Sequence, residues 1–217
     1  DGRTFIGESF GATGTTVGEA CFNTSMTGYQ EVLTDPSYRG QVVVMTAPHI
    51  GNTGANDEDP ESDRIWVNGY VVRDPSPIAS NWRSRRSLDA ELRANGVVGV
   101  AGIDTRAVTR HLRERGAMRV GLFTGDAVGE SVEALVAKVQ ASPSMVGANY
   151  VDDVTTKQAY VVQAKGQKRF TIAALLAFAF SAAACNNTTT TPTTPTSHNQ
   201  QRQENRRDQA KELSRRK

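Results

Sequence analysis

FNTSMTGYQEVLTDPSYRGQVVVMTAPHIGNTGANDEDPESD, residues Phe22 to Asp63, decides how the rest of the chain is arranged. An apolar strand runs into Thr27-Gly28-Tyr29-Gln30, in which Thr27 and Gln30 have the spacing of a helix capping box. A short helical turn through Glu31, Val32 and Leu33 is expected to follow. Asp35-Pro36 stops it, because proline disfavours a helical residue before it. Gly40 releases the chain into Gln41–Thr46, a run with three valines that favours a strand. Pro48, Gly51 and Gly54 mark the loop beyond it. The order is strand, capped turn, buried strand and polar loop, and it names no chemistry.

Working outward, 217 residues bound the chain to one or two domains with enough length for a core without staples. Lys and Arg number 25 against 23 Asp and Glu, a net of +2. That near-neutrality conceals an asymmetry: residues 1–163 carry 15 basic and 20 acidic side chains, net −5, and 164–217 carry 10 and 3, net +7. The body and the tail are therefore physically different segments. Cys21 and Cys185 lie far apart in unlike segments, which argues against a disulfide framework and for a reducing, cytoplasmic setting. No basic, apolar leader opens the sequence.

Toward the amino terminus, Asp1-Gly2 suggests a turn, Thr4–Phe10 a strand, Gly11, Gly14 and Gly18 turns, and Glu19–Thr24 a second strand. The glycines have no following Lys-Ser/Thr and open no helix, so a phosphate cradle is set aside. Cys21 lacks the Gly-x-Cys-x-Gly turn of a nucleophile and is expected to be a buried, inert thiol. Asp57, Glu58, Asp59, Glu61 and Asp63 crowd one loop, but Pro60 interrupts them and the spacing is not that of a calcium loop, so no metal is assigned.

Toward the carboxy terminus, Trp66–Arg73 is a strand, with Asn68-Gly69 offering a hairpin turn as the competing arrangement. Ser84–Gly96 is a helix with Leu88 and Leu92 on one face, and Val97–Ile103 a strand. Asp104 caps a helix over Thr105–Arg115 that Gly116 ends, with Val108 and Leu112 inward. Its Arg106, Arg110, Arg113 and Arg115 suggest a solvated face or a protein interface; no interleaved aromatics support nucleic acid. His49 and His111 have no second ligand at metal spacing. Met118–Thr124 is a strand, Gly125–Gly129 a loop and Ser131–Ala141 a helix.

FNTSMTGYQEVLTDPSY, PHIGNTGANDED and ESD, followed in order by Ala79-Ser80-Asn81-Trp82-Arg83, Gly102-Ile103-Asp104-Thr105-Arg106 and Arg110-His111-Leu112-Arg113-Glu114-Arg115-Gly116, closely resemble the amino-terminal domain of the small, glutamine-hydrolysing subunit of carbamoyl-phosphate synthetase. The resemblance extends from about Asp1 to Leu175 and implies a short strand upstream of Asp1. It implies an α/β fold of the swivelling, layered β/β/α type over 1–125, with a helical interdomain connector over 126–167. It favours one continuous strand through Asn68-Gly69. The acidic loop is then structural or faces a partner subunit, and Ser37 reaches a bound glutamine. On the residues alone, Ser37 is a hydroxyl in a turn after proline. The partner implied is the large synthetase subunit, which carries the ATP and magnesium chemistry that makes carbamoyl phosphate for arginine and pyrimidine synthesis; this chain itself is expected to hold no cofactor.

The resemblance weakens at Lys168–Leu175, which looks like the first strand of the family's glutaminase domain. Residues 176–217 then depart from it: an apolar run, a Thr/Pro tract and a basic tail, expected to be disordered. A class I glutaminase needs a cysteine thiolate, a histidine that activates it and an acid that orients the histidine. Neither Cys185 nor His198 has that context, so no catalytic residue is assigned and the chain alone is expected to be inactive. Two alternatives remain: a truncated interaction module, and a membrane-tethered chimera through 165–185, whose basic start, apolar stretch and cysteine resemble a lipoprotein signal.

Overall fold

A computed structural model describes residues 1–163 and 166–167. The chain divides into two units, Asp1–Gln163 and Ala164–Lys217, and the elements below all belong to the first. The expectations for a glutaminase strand at 168–175, for the lipoprotein-like run, for Cys185 and His198 and for the tail over 176–217 lie outside the described residues.

In chain order the elements are β1 (Glu8–Gly11), β2 (Thr15–Asn23), α1 (Tyr29–Thr34), β3 (Gln41–Met45), β4 (His49–Ile50), β5 (Gly69–Val71), β6 (Asp74–Pro75), α2 (Leu88–Ala94), β7 (Val98–Ala101), α3 (Thr105–Arg115), β8 (Met118–Phe123), α4 (Val132–Ala141) and α5 (Val151–Val154). Six strands form one mixed sheet in the order β1-β7-β5-β3-β2-β8. Its centre is parallel, with β2 on β3, β3 on β5 and β5 on β7. Antiparallel β1 and β8 close its edges. The fold is thus mixed α/β.

The valine run explains why β3 lies in the middle. Successive side chains of a strand point to opposite faces. Val43 and Met45 enter one core with Tyr29, Leu33, Tyr70, Leu88 and Leu92, while Val42 and Val44 enter a second with Val71, Val98, Ile103 and Leu122. Burial on both faces is what a continuous apolar run in a parallel strand predicts. Val108 of α3 packs against the second core, as the helical spacing requires. No hairpin forms at Asn68-Gly69. Asn68 donates its backbone N–H to Gln41 O at 2.7 Å and its side chain to Val17 O at 3.0 Å, which carries the chain straight into β5.

Several boundaries differ from the sequence reading. The first strand begins at Glu8 rather than Thr4. Gly18 is no turn; it lies inside β2, where a Cβ would come within 2.7 Å of Gly40 O. The helix expected from Ser84 starts at Leu88, because Ser87 takes the capping position and its hydroxyl accepts from Ala90 N–H at 3.2 Å. Asp104 caps α3 as expected, accepting from Ala107 N–H at 3.0 Å, and Gly116 ends it at φ 84°.

Candidate functional site

The helix α1 is short, and its start is not the capping box. Gly28 holds the cap position at φ 77°, in the left-handed region, with no side-chain cap bond. Gln30 has other work. Its Nε2 donates to Asn56 O at 2.6 Å and its Oε1 accepts from Asn56 N–H at 3.0 Å, both bonds buried. A carboxamide is the side chain that can donate and accept side by side, so it pairs with a peptide group as a neighbouring strand would.

The ring continues through the loop. Asn56 Nδ2 donates to Asp59 Oδ2 at 2.7 Å, and Asn56 Oδ1 accepts from the backbone N–H groups of Glu58 and Asp59. Asp59 in turn receives Arg83 at 2.6 Å, which also reaches Glu58 at 3.1 Å. The Asn56 amide and the Arg83 guanidinium hold the Asp59 carboxyl below its usual range. Arg86 binds Asp57 at 2.7 Å and also pairs with Glu91. Asp57, Glu58 and Asp59 are therefore paired with arginines from the segment before α2, while Glu61 and Asp63 make no ion pair among the described residues. Among the described residues no group of His, Cys, Asp and Glu is arranged to hold a metal ion.

A buried tyrosine, Tyr29, completes the packing. Thr53 donates to Tyr29 Oη at 2.6 Å, and that hydroxyl donates to Gly54 O at 2.9 Å. Gly54 is at φ 69°, and a Cβ there would lie 2.8 Å from Arg86 O, so the backbone approach requires glycine. Together Thr27–Glu31, Thr53, Gly54, Asn56, Asp59, Asn81 and Arg83 line a polar depression of about 280 Å³. Its inner polar groups bond to one another, which makes it a rigid brace.

Ser37 lies elsewhere, as the exposed residue of a 3₁₀ turn, Pro36–Tyr38, directly after α1. The Asp35 carboxylate accepts both the Ser37 N–H at 2.8 Å and the Ser37 hydroxyl at 2.6 Å. With its proton committed to Asp35, Ser37 Oγ faces solvent as a hydrogen-bond acceptor. The turn expected from Asp-Pro-Ser is thus present, and Ser37 does not line the depression.

The remaining candidates are brought to no common place. Cys21, half-buried in β2, has its thiol pushed up to about 12 by burial and then by Glu19, so it is a poor nucleophile. His49 is not isolated: its Nδ1 lies 3.0 Å from Asp74 Oδ2 across the β4–β6 pair. His111 lies against the amino-terminal segment, with Nε2 2.6 Å from Asp1 Oδ2 and Nδ1 3.3 Å from Arg3. Arg106, Arg110, Arg113 and Arg115 are all exposed. Among the described residues no helix is long and apolar enough to cross a membrane.

The profile of the carbamoyl-phosphate synthase small chain, CPSase domain, matches residues 1–122. A carbamoyl phosphate synthase small chain of Streptomyces avermitilis is 67% identical over 175 residues, covering 81% of this chain and 46% of the relative. One from Mycobacterium leprae is 60% identical over 179 residues, covering 81% and 48%. One from Corynebacterium diphtheriae is 53% identical over 176 residues, covering 80% and 46%. The chain spans about half the length of the curated relatives it matches.

Proposed function

The chain belongs to the carbamoyl-phosphate synthase small-chain family, and from that premise we propose that it is the docking half of the small subunit. It holds the large synthetase subunit and shapes one wall of the glutamine site, in the cytoplasm, in the supply of ammonia for carbamoyl phosphate and so for arginine and pyrimidine synthesis. Its fold is of the swivelling, layered β/β/α type over 1–125, with 126–167 as connector. Glutamine hydrolysis needs a Cys-His-acid triad, and the described residues bring no such triad together. ATP and magnesium act on the large subunit.

The observation that carries the docking role is the family match over residues 1–122, the part of the chain built as a braced α/β body. Cys21 supports the absence of hydrolysis by the body itself, since its raised pKa leaves almost no thiolate at neutral pH. The wall of the glutamine site is Ser37. Its oxygen is an outward acceptor fixed by Asp35, suited to an ammonium or carboxamide N–H of glutamine.

Co-sedimentation tests docking. The intact chain mixed with the large subunit is expected to move as a stoichiometric complex. Separate sedimentation at micromolar concentrations would refute the assignment.

A further inference from the structure

The α3 helix carries an arginine stripe that the brace and the Ser37 turn leave unused. Arg106, Arg110 and Arg113 follow the i, i+4, i+7 spacing of one helix face. They extend over about 10 Å of axis at 1.5 Å per residue. All three are exposed, and none has an ion-pair partner among the described residues.

That is unusual in this body, which has five more carboxylates than cations over 1–163. Elsewhere in it, Arg39 binds Asp153, Arg83 binds Glu58 and Asp59, Arg86 binds Asp57 and Glu91, and Arg93 binds Asp89. Arg119 donates to backbone carbonyls, and Arg64 stacks on Trp66 at 3.8 Å. Among the described residues Arg73 and Arg85 also stand without a carboxylate, as does Arg115 on the opposite side of α3. Among the described residues, α3 is where three such guanidiniums share one helix face.

The arrangement is locally unfavourable. Like charges at i, i+3 and i, i+4 repel. Arg106 also stands in the first turn, at the positive end of the helix dipole. No ion pair among the described residues relieves this. Asp104 is committed to its cap bond with Ala107, and Glu114, four residues after Arg110, makes no ion pair. Local rules broken without compensation inside the fold are expected where a surface meets something outside it.

We infer that the Arg106/Arg110/Arg113 stripe is an electrostatic docking ridge for an acidic protein surface and, resting on the function proposed above, one carried by the large synthetase subunit. Guanidiniums suit this role because each can bind a carboxylate with two parallel bonds. A polyphosphate backbone is the weaker fit. The ridge offers only three cations, with no interleaved aromatic side chain to stack on bases.

The test uses the full 217-residue chain and the large subunit, with affinity measured at low and at physiological salt. The unmodified chain should bind, and bind more weakly as salt rises. The triple variant R106E/R110E/R113E should lose roughly tenfold or more at low salt and lose most of the salt dependence. R115E, off the stripe, should change affinity by less than about twofold. The milder R106Q/R110Q/R113Q should fall between, and far-UV circular dichroism checks that each variant is folded. A folded triple variant that binds like the parent overturns the ridge while leaving the docking function standing. A parent that does not bind the large subunit at all overturns that function and the ridge's partner with it. Tight binding of a duplex RNA that the triple variant alone loses, with large-subunit binding unaltered, overturns the ridge in favour of a polyanion.

Discussion

Gln30 and Asn56 are joined by two buried hydrogen bonds, side chain to peptide, at 2.6 and 3.0 Å. This pair ties α1 to the acidic loop and holds both against the core. Replacing Gln30 with Ala leaves a buried N–H and a buried C=O of Asn56 without partners. Unsatisfied buried groups cost about 1–3 kcal/mol each, so Gln30→Ala should lose about 2–4 kcal/mol in urea denaturation. A loss below about 1 kcal/mol would show that the pair is ornamental.

Asp59 gives the brace a pH dependence. Its carboxyl is held below 3.8 by Asn56 and then Arg83, so the folded state binds this proton less readily than the unfolded chain does. The stabilisation is then fully present above the ordinary carboxylate value and is lost as pH falls through the lowered one. The melting temperature of the parent should converge on that of Asp59→Asn as acid is added. Parallel curves throughout the acid range would rule out Asp59 as the source.

Cys21 should be chemically quiet. With its pKa near 12, alkylation at pH about 8 should be roughly a hundredfold or more slower at Cys21 in the folded protein than in urea, as followed by mass spectrometry of its peptide. Equal rates in the two states would mean that the thiol is neither buried nor perturbed.

Ser37 separates binding from stability. Its side chain is exposed on a turn whose backbone bond to Asp35 would survive truncation, so Ser37→Ala should alter stability by less than about 0.5 kcal/mol. In an assembly that includes a glutaminase half, the same change should raise the KM for glutamine and leave ammonia-dependent synthesis alone. An unchanged KM would remove Ser37 from the glutamine site.

Much of the sheet was legible because strands and helices announce themselves locally. The Val42–Val44 run reads as a buried strand, and Asp104 and Gly116 bracket α3. The brace was not legible. Thr27 and Gln30 have the spacing of a capping box, but Gln30 is held by a partner 26 residues away, and no local pattern encodes that distance. The acidic loop was equally misleading on its own, since the arginines that neutralise Asp57, Glu58 and Asp59 lie 24 to 29 residues further on. Ser37 came from family resemblance, and its turn geometry followed from Asp-Pro-Ser.

The central claim is that this chain docks but does not hydrolyse glutamine. Carbamoyl phosphate formation by the large subunit, measured with the intact chain present and with either ammonia or glutamine as nitrogen source, tests it most directly. Synthesis with ammonia, and none above background with glutamine, is the predicted result. Robust glutamine-dependent synthesis would contradict it and would place a working glutaminase centre within these 217 residues.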